Sequence, residues 1–426
     1  MNKKKIFYFF LPVLLILLLV GYFLFFFPKR PVEWTPQNAL RPVSAPGISD
    51  TGEVDFLARA VDYSLEYFEK TGKETGTQTA NQASTMVFFG KDQVPCTHVR
   101  DTLLDFKAKL AEYGLSERFF RYVRQHYRFY QSAAPGDVLF TGYFEVDLRG
   151  SLTPSEVFRY PLYRKPDDLY RVDLSSFPFF QKYRGLPRVL RGRLFGNRTN
   201  RTGGPRIVPY YTREEIDYRQ KLAGKGLEIV WIDNPIDVFF LHIQGSGVVA
   251  LDSGETLRVN YDESNGHPYR AIGRLLVQQD ILTLENVSLQ SIRDYLEKHP
   301  EEMKDIFVYN PSYVFFRVVE EGPMGAIGVP VTPFRSIATD GYLFPKGALC
   351  YIETQLPVFD DGGKVTGWKM YSGFALNQDS GGAIRGPGQV DLFTGYGKKS
   401  RLIAGHMKQP GTFYFLLKTR SFKEET

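Results

Sequence analysis

NQDSGGAIRGPGQVDLFTGYG, residues Asn377 to Gly397, is the stretch on which the fold turns. Asp379 and Asp391 stand twelve positions apart, across Gly381-Gly382 and Gly386-Pro387-Gly388, and both abut β-type residues. A strand that crosses such a loop and returns can bring two carboxylates to one mouth of a barrel. Glycines in the loop let backbone approach a bulky polymer closely. Paired carboxylates are the equipment of glycoside cleavage, in which one is kept protonated to give a proton to the leaving oxygen. Spacing alone is a weak signal, because Asp beside Gly is more often a turn former.

Working outward, short apolar runs punctuated by Gly and Pro recur on both sides of this stretch. VLFTGYFEVDLRG (138–150) alternates and is bounded by Pro135-Gly136. LEIVWID, DVFFLHIQG, VVALD, TLRVNY, YVFFRVVE and ALCYIETQLPVF read as further strands. Leu57, Ala60, Val61, Leu65 and Phe68 recur at helical spacing, as do Leu103, Phe106 and Leu110, then Phe119, Phe120 and Val123. Thr212 and Glu215 form a capping-box pattern opening a helix to about Ala223, and Ser288 caps another to about Lys298. No repeat of 20–50 residues is present. The pattern predicts a mainly β protein with helical additions, built around a barrel of short strands.

The 426 residues carry a formal charge of only +6, with 23% charged and 43% hydrophobic residues, which excludes a disordered chain. Aromatics at 15% favour large packed surfaces or flat ligands such as sugar rings. Two cysteines exclude a disulfide-dense scaffold and a four-cysteine zinc site; Cys96 and Cys350 allow one pair or two free thiols. There is no H-E-x-x-H, and the six histidines lack metal-ligand spacing, so neither metal nor cofactor is expected. Gly395-Tyr-Gly-Lys-Lys-Ser lacks P-loop spacing, and Gln244-Gly-Ser-Gly lacks the first glycine of a nucleophile elbow.

The N-terminus reads MNKKK, then an unbroken apolar run from Ile6 to Phe27, then Lys29 and Arg30. As a helix the run spans about 33 Å, enough for a bilayer core. It is longer than a signal-peptide core and offers no small-residue cleavage site, so an uncleaved anchor over 1–30 is expected, with the remainder outside the cytoplasm. Residues 31–50 carry four prolines and read as a stiff tether. From Gln181 to Arg206 there are eight basic residues and no acidic one, read either as a solvated loop or as contact with an acidic polymer; nucleic acid is not expected there.

The chain resembles the membrane-bound lytic murein transglycosylase A family. The resemblance is carried by Phe140-Thr-Gly-Tyr-Phe-Glu145, Tyr160-Pro-Leu-Tyr163, Val238 to Gly247, Val259-Asn-Tyr-Asp262, Asn265-Gly-His-Pro-Tyr269, Asn310 to Phe316 and Gly322-Pro-Met-Gly325. The block from Gln378 to Gly397 resembles the module named for its aspartates. The resemblance implies a double-psi β-barrel with N-terminal helices (51–145 and 309–420), a smaller β domain inserted over 146–308, and a groove between them holding a peptidoglycan strand. It implies Asp391 as the general acid and Asp379 as a supporting carboxylate, with Thr141, Gly142, Tyr143, Gln244, Gly245 and Ser246 on the groove floor. The expected reaction is non-hydrolytic cleavage between N-acetylmuramic acid and N-acetylglucosamine, giving 1,6-anhydro products. The basic stretch would then meet stem-peptide carboxylates. Two rival readings are a non-catalytic glycan-binding barrel and a hydrolase using the second aspartate as base.

Overall fold

The computed structural model describes residues 33–74, 86–179, 189–196 and 205–420. The chain divides into Met1–Thr35 and Pro36–Thr426, and every element below lies in the second unit. The apolar run Ile6–Phe27, and Lys182, Arg184, Arg188, Arg198 and Arg201 of the basic stretch, fall outside the described residues. Among the described residues, no helix is long and apolar enough to cross a membrane.

The strands in chain order are β1 (Leu40–Val43), β2 (Met86–Phe89), β3 (Asp92–Pro95), β4 (Tyr127–Ser132), β5 (Val138–Ser151) and β6 (Tyr160–Tyr163). They continue with β7 (Tyr170–Asp173), β8 (Val189–Phe195), β9 (Arg206–Pro209), β10 (Glu228–Ile232), β11 (Ser246–Leu251) and β12 (Thr256–Ser264). The last six are β13 (Val314–Val318), β14 (Ser336–Thr339), β15 (Leu349–Phe359), β16 (Val365–Ser380), β17 (Gln389–Tyr396) and β18 (Lys408–Lys418). Strands β5, β17, β14, β16, β15 and β18 pair in that order, and β18 pairs back to β5. The ring so closed is a double-psi β-barrel, with parallel pairings at β5–β17 and β14–β16. Closure removes the free edges that short strands would otherwise expose. The register puts Cys350, Ile352, Phe413 and Phe415 on one face and Leu349, Tyr351, Phe374 and Leu376 on the other, all fully buried, with Phe374 packed on Phe106 and Phe119 of the N-terminal helices.

Strand β5 serves two sheets. Its first half belongs to the barrel; its second half pairs in parallel with β11, and β12 and β13 follow. Val146, Leu148, Val230, Ile232, Val249, Val259 and Phe316 form the core under this second sheet. Helices Val54–Glu74, Cys96–Tyr113 and Glu117–His126 match the helical spacing read from the sequence, and Ser288 caps Leu289–Lys298 as expected.

Four local readings differ. DVFFLHIQG is not a strand but most of helix Pro235–Gln244, opened by the Asn234 side chain on the Ile236 N–H and closed by Gly245 in the left-handed region. The helix is buried on nearly every side, so its sequence shows no polar face to reveal the helical period. The Thr212–Glu215 box is formed, but the helical turn after it ends at Tyr218. The stretch read as a tether over 31–50 is partly docked: β1 pairs with β4, and Asp50 forms a fully buried bidentate ion pair with Arg335 at 2.6 and 3.0 Å. Arg191, Arg193 and Arg206, read as a loop, lie on strands β8 and β9. Cys96 and Cys350 are both free.

Candidate active site

Strand β14 sets the distance between the two aspartates. Ala338 pairs with Asp379 of β16 on one side and with Asp391 of β17 on the other. Neighbouring strands are about 4.8 Å apart, so the two α-carbons sit roughly 10 Å apart across one small residue. Both aspartates are half-buried.

The Asp391 carboxyl is held from one end. Thr141 Oγ1, opposite it on β5, donates to Asp391 Oδ1, and Gln389 Nε2 donates to the same oxygen at 3.1 Å. Among the described residues no donor reaches Oδ2. Burial raises the pKa of Asp391, with the Thr141 and Gln389 bonds pulling the other way.

Asp379 is held by main chain. Its Oδ1 accepts the N–H groups of Ala326 at 2.9 Å and Ser380 at 2.8 Å. Ala326 reaches it because Gly325 has no side chain; a Cβ there would stand 2.4 Å from the Gln378 carbonyl oxygen. Burial pushes Asp379 up to about 6; the Ser380 N–H, Tyr143 and the Ala326 N–H oppose the rise, and the charge of Asp391 adds to it. The Tyr143 hydroxyl is buried beside this carboxyl without closing a hydrogen bond of normal geometry.

The other expected residues are more structural in their contacts. At Gly142 a Cβ would come within 2.8 Å of the Ala404 α-carbon, so its absence lets helix Lys398–His406 lie directly on β5. Gln244 Oε1 accepts the Phe144 N–H at 3.1 Å, Gly245 ends its helix, and Ser246 is buried at the start of β11. His242 is buried, and its Nδ1 faces the Val314 N–H and the Arg213 guanidinium, each at 3.4 Å; burial and Arg213 push it well below the usual histidine range. Three contributors were not singled out from sequence. Gln389 could have been, since it stands two residues before Asp391 on the same strand face. Tyr269 lies within electrostatic reach of Asp391: burial raises its phenol, Arg213 opposes and Asp391 adds. The Ala326 N–H is a backbone group that no residue type announces.

The family described as the MltA specific insert domain matches residues 139–317, and the 3D domain matches 335–417. The membrane-bound lytic murein transglycosylase A of Vibrio cholerae is 30% identical over 284 residues, 66% of each chain.

This chain belongs to the membrane-bound lytic murein transglycosylase A family.

The family member from Escherichia coli K12 is likewise 30% identical over 285 residues, and the chain spans 66% of the length of these curated relatives. The family's solved murein transglycosylase from Agrobacterium tumefaciens superposes with a TM-score of 0.64 at 28% identity, covering 85% of this chain and 92% of that one. A Neisseria gonorrhoeae structure gives 0.59 at 27%, covering 92% and 98%. The E. coli structure with bound chitohexaose gives 0.64 at 21%, covering 92% and 98%, a likeness of fold. A cavity of about 280 Å³ between helix Val54–Glu74, β2 and the Gly341–Lys346 loop is not lined by either aspartate.

Proposed function

We propose that this protein is a peptidoglycan lytic transglycosylase with Asp391 as its acid. One observation carries the reading: Asp391 is half-buried, its pKa is raised, and both of its hydrogen bonds fall on Oδ1, leaving Oδ2 free to carry a proton toward substrate. The naming of the relatives as murein transglycosylases supports it. So does the closed ring of β5 with β14 to β18, on either side of an insertion, for a division into barrel (51–145 and 309–420) and inserted domain (146–308).

Oδ2–H gives its proton to the oxygen of the β-1,4 bond between N-acetylmuramic acid and N-acetylglucosamine. The C1–O bond breaks as positive charge develops at C1. The 6-hydroxyl of the same muramoyl ring attacks C1, and its proton passes to the Asp391 carboxylate, which resets the acid. No water enters, and positioning within one ring carries the rate. Asp379, pinned by two main-chain N–H groups, supplies negative charge beside the developing cation. Thr141 and Gln389 fix which oxygen of Asp391 faces the glycan. The enzyme works in the bacterial envelope, anchored by the apolar run Ile6–Phe27.

Mass spectrometry of products from purified sacculi tests this. The expected products are anhydromuropeptides; hydrolysis would add one water, and a glycan binder would pellet with sacculi and release nothing. Asp391→Asn is expected to abolish release while melting as a folded protein. Persistent activity in Asp391→Asn, with loss in Asp379→Asn, would reverse the two roles.

A further inference from the structure

We propose that Asn260 is a positioning residue for the second aspartate: from the second sheet it clamps the hairpin 322–331, whose Ala326 N–H holds the Asp379 carboxylate. The inference rests on the reading of Asp379 as the ionised partner of Asp391. It gives a task to two stretches that the chemistry above leaves unused, Val259-Asn-Tyr-Asp262 and Gly322-Pro-Met-Gly325.

Asn260 lies on β12 and is 4% exposed. Its Oδ1 accepts the Met324 N–H at 2.8 Å, and its Nδ2 donates to the Met324 carbonyl at 3.2 Å. A carboxamide carries an acceptor and a donor side by side, as a peptide group does. Asn260 therefore satisfies both main-chain groups of Met324, as a neighbouring strand would. Arg258, two residues earlier and on the same face of β12, donates to the Gly322 carbonyl at 3.1 Å. The second sheet thus grips the hairpin at two alternate residues.

Beyond this grip the hairpin is braced by its own main chain. The Val331 N–H donates to the Pro323 carbonyl at 2.9 Å, Gly325 to Val329 at 2.8 Å and Gly328 to Gly325 at 2.9 Å. Its tip meets β16, with the Ala326 N–H on Asp379 Oδ1 at 2.9 Å and the Ile327 N–H facing the Gln378 carbonyl at 3.4 Å. Met324 and Ala326 are two residues apart, so a shift at the grip passes to the tip. Arg258 also closes on the buried Glu145, and its removal would disturb more than the hairpin. The titratable groups facing Asp379 are Tyr143 of β5 and Asp391 of β17. Without the Ala326 N–H, the charged form of Asp379 loses one of its two main-chain donors, and its folded pKa moves further above the ordinary 3.8. That removes stability at high pH and none where the carboxyl is protonated.

Melting of the full-length protein in detergent at pH 5 and pH 8 tests the proposal. Asn260→Ala is expected to lose about 2 °C more at pH 8 than at pH 5, and Asn260→Ser a smaller excess of the same sign. Val259→Ala, in the adjoining core, is expected to lose the same at both. The excess is expected to vanish in the Asp379→Asn background, which has no carboxylate to hold. An equal loss by Asn260→Ala at the two pH values overturns the proposal. Turnover on sacculi gives the second arm. Ionisation of Asp379 sets the acid limb of the pH profile, and Asn260→Ala is expected to move that limb up by about one pH unit. A rise of the alkaline limb instead keeps Asn260 as the positioning residue and overturns the reading of Asp391 as the acid. Two unmoved limbs overturn the proposal.

Discussion

The barrel and the β7–β8–β9 sheet obey the same pleat and reach opposite results. In β15 to β18 apolar residues stand on both faces and both are covered, one inside the closed ring and one by the N-terminal helices, and the strands protect one another's edges. In β7 to β9 Tyr170, Leu190, Leu194 and Ile207 are exposed on one face, and on the other Arg191 and Arg193 reach in to Glu263 and Tyr211. Pleating gives a strand two faces; what lies beyond each face decides which is covered. The barrel and the N-terminal helices cover both. The small sheet takes its inner cover from charge pairing and leaves an apolar surface open.

The sharpest way to break this contrast is at the barrel carboxyl proposed as the acid. Asp391→Asn should leave less than about a thousandth of wild-type turnover, consistent with loss of an essential general acid, while still unfolding cooperatively and no less stable than wild type. Next comes the buried Asp50–Arg335 clasp. Asp50→Asn leaves Arg335 charged and buried without its partner, and should cost about 3–5 kcal/mol in denaturant titration.

Asp379 gives a pH-dependent version. Its folded pKa of about 6 lies above the ordinary 3.8, so the folded protein holds the proton more tightly than the unfolded chain does. Stability is then highest below pH 3.8 as far as this group is concerned, and falls as pH rises to about 6. Asp379→Asn keeps an acceptor for Ala326 and Ser380. It should be more stable than wild type by up to about 3 kcal/mol at neutral pH, with the gain gone near pH 3.5; the same melting temperature at both values would refute the linkage.

Smaller still, Gln389→Ala removes one of two donors to Asp391 Oδ1 and should lower turnover about tenfold, an effect of about 1.4 kcal/mol. That bond favours the carboxylate, so its loss should move the alkaline limb of the activity profile upward; a purely structural role would leave the limb in place. The least effect belongs to the open sheet. Leu194→Ala in detergent should change stability by less than about 0.5 kcal/mol, whereas Leu349→Ala in the barrel should cost about 2–5 kcal/mol.

Much of the barrel was legible in the sequence because burial on one side makes alternation visible. Segment 138–150 reads as a strand for that reason, whereas 348–359, buried on both faces over Leu349–Ile352, reads as one through its short apolar run between Gly347 and Asp360-Asp361. DVFFLHIQG failed because a helix enclosed by core has no solvent face; the Asn234-Pro235 opening and Gly245 close were the available signals. Glycine-rich spacing pointed only weakly to the aspartates; their roles, and the place of Thr141, came from the resemblance. The motif could not say that Thr141 bonds Asp391, since that follows from a pairing between residues 250 positions apart. The Ala326 N–H depends on Gly325 approaching β16, a matter of backbone path.

The Asp50–Arg335 clasp also has a mechanical side. Asp50 Oδ2 accepts the Phe374 N–H at 2.8 Å, so the N-terminal segment is fastened to β16 as well as to β4 through β1. A pull on the chain from its N-terminal end loads the β1–β4 pairing and then this clasp. Strand β17, which bears Asp391, lies beyond β14 and off that line of force. A chain pulled from that end is thus tugged at its entry point without shifting the strand that bears Asp391.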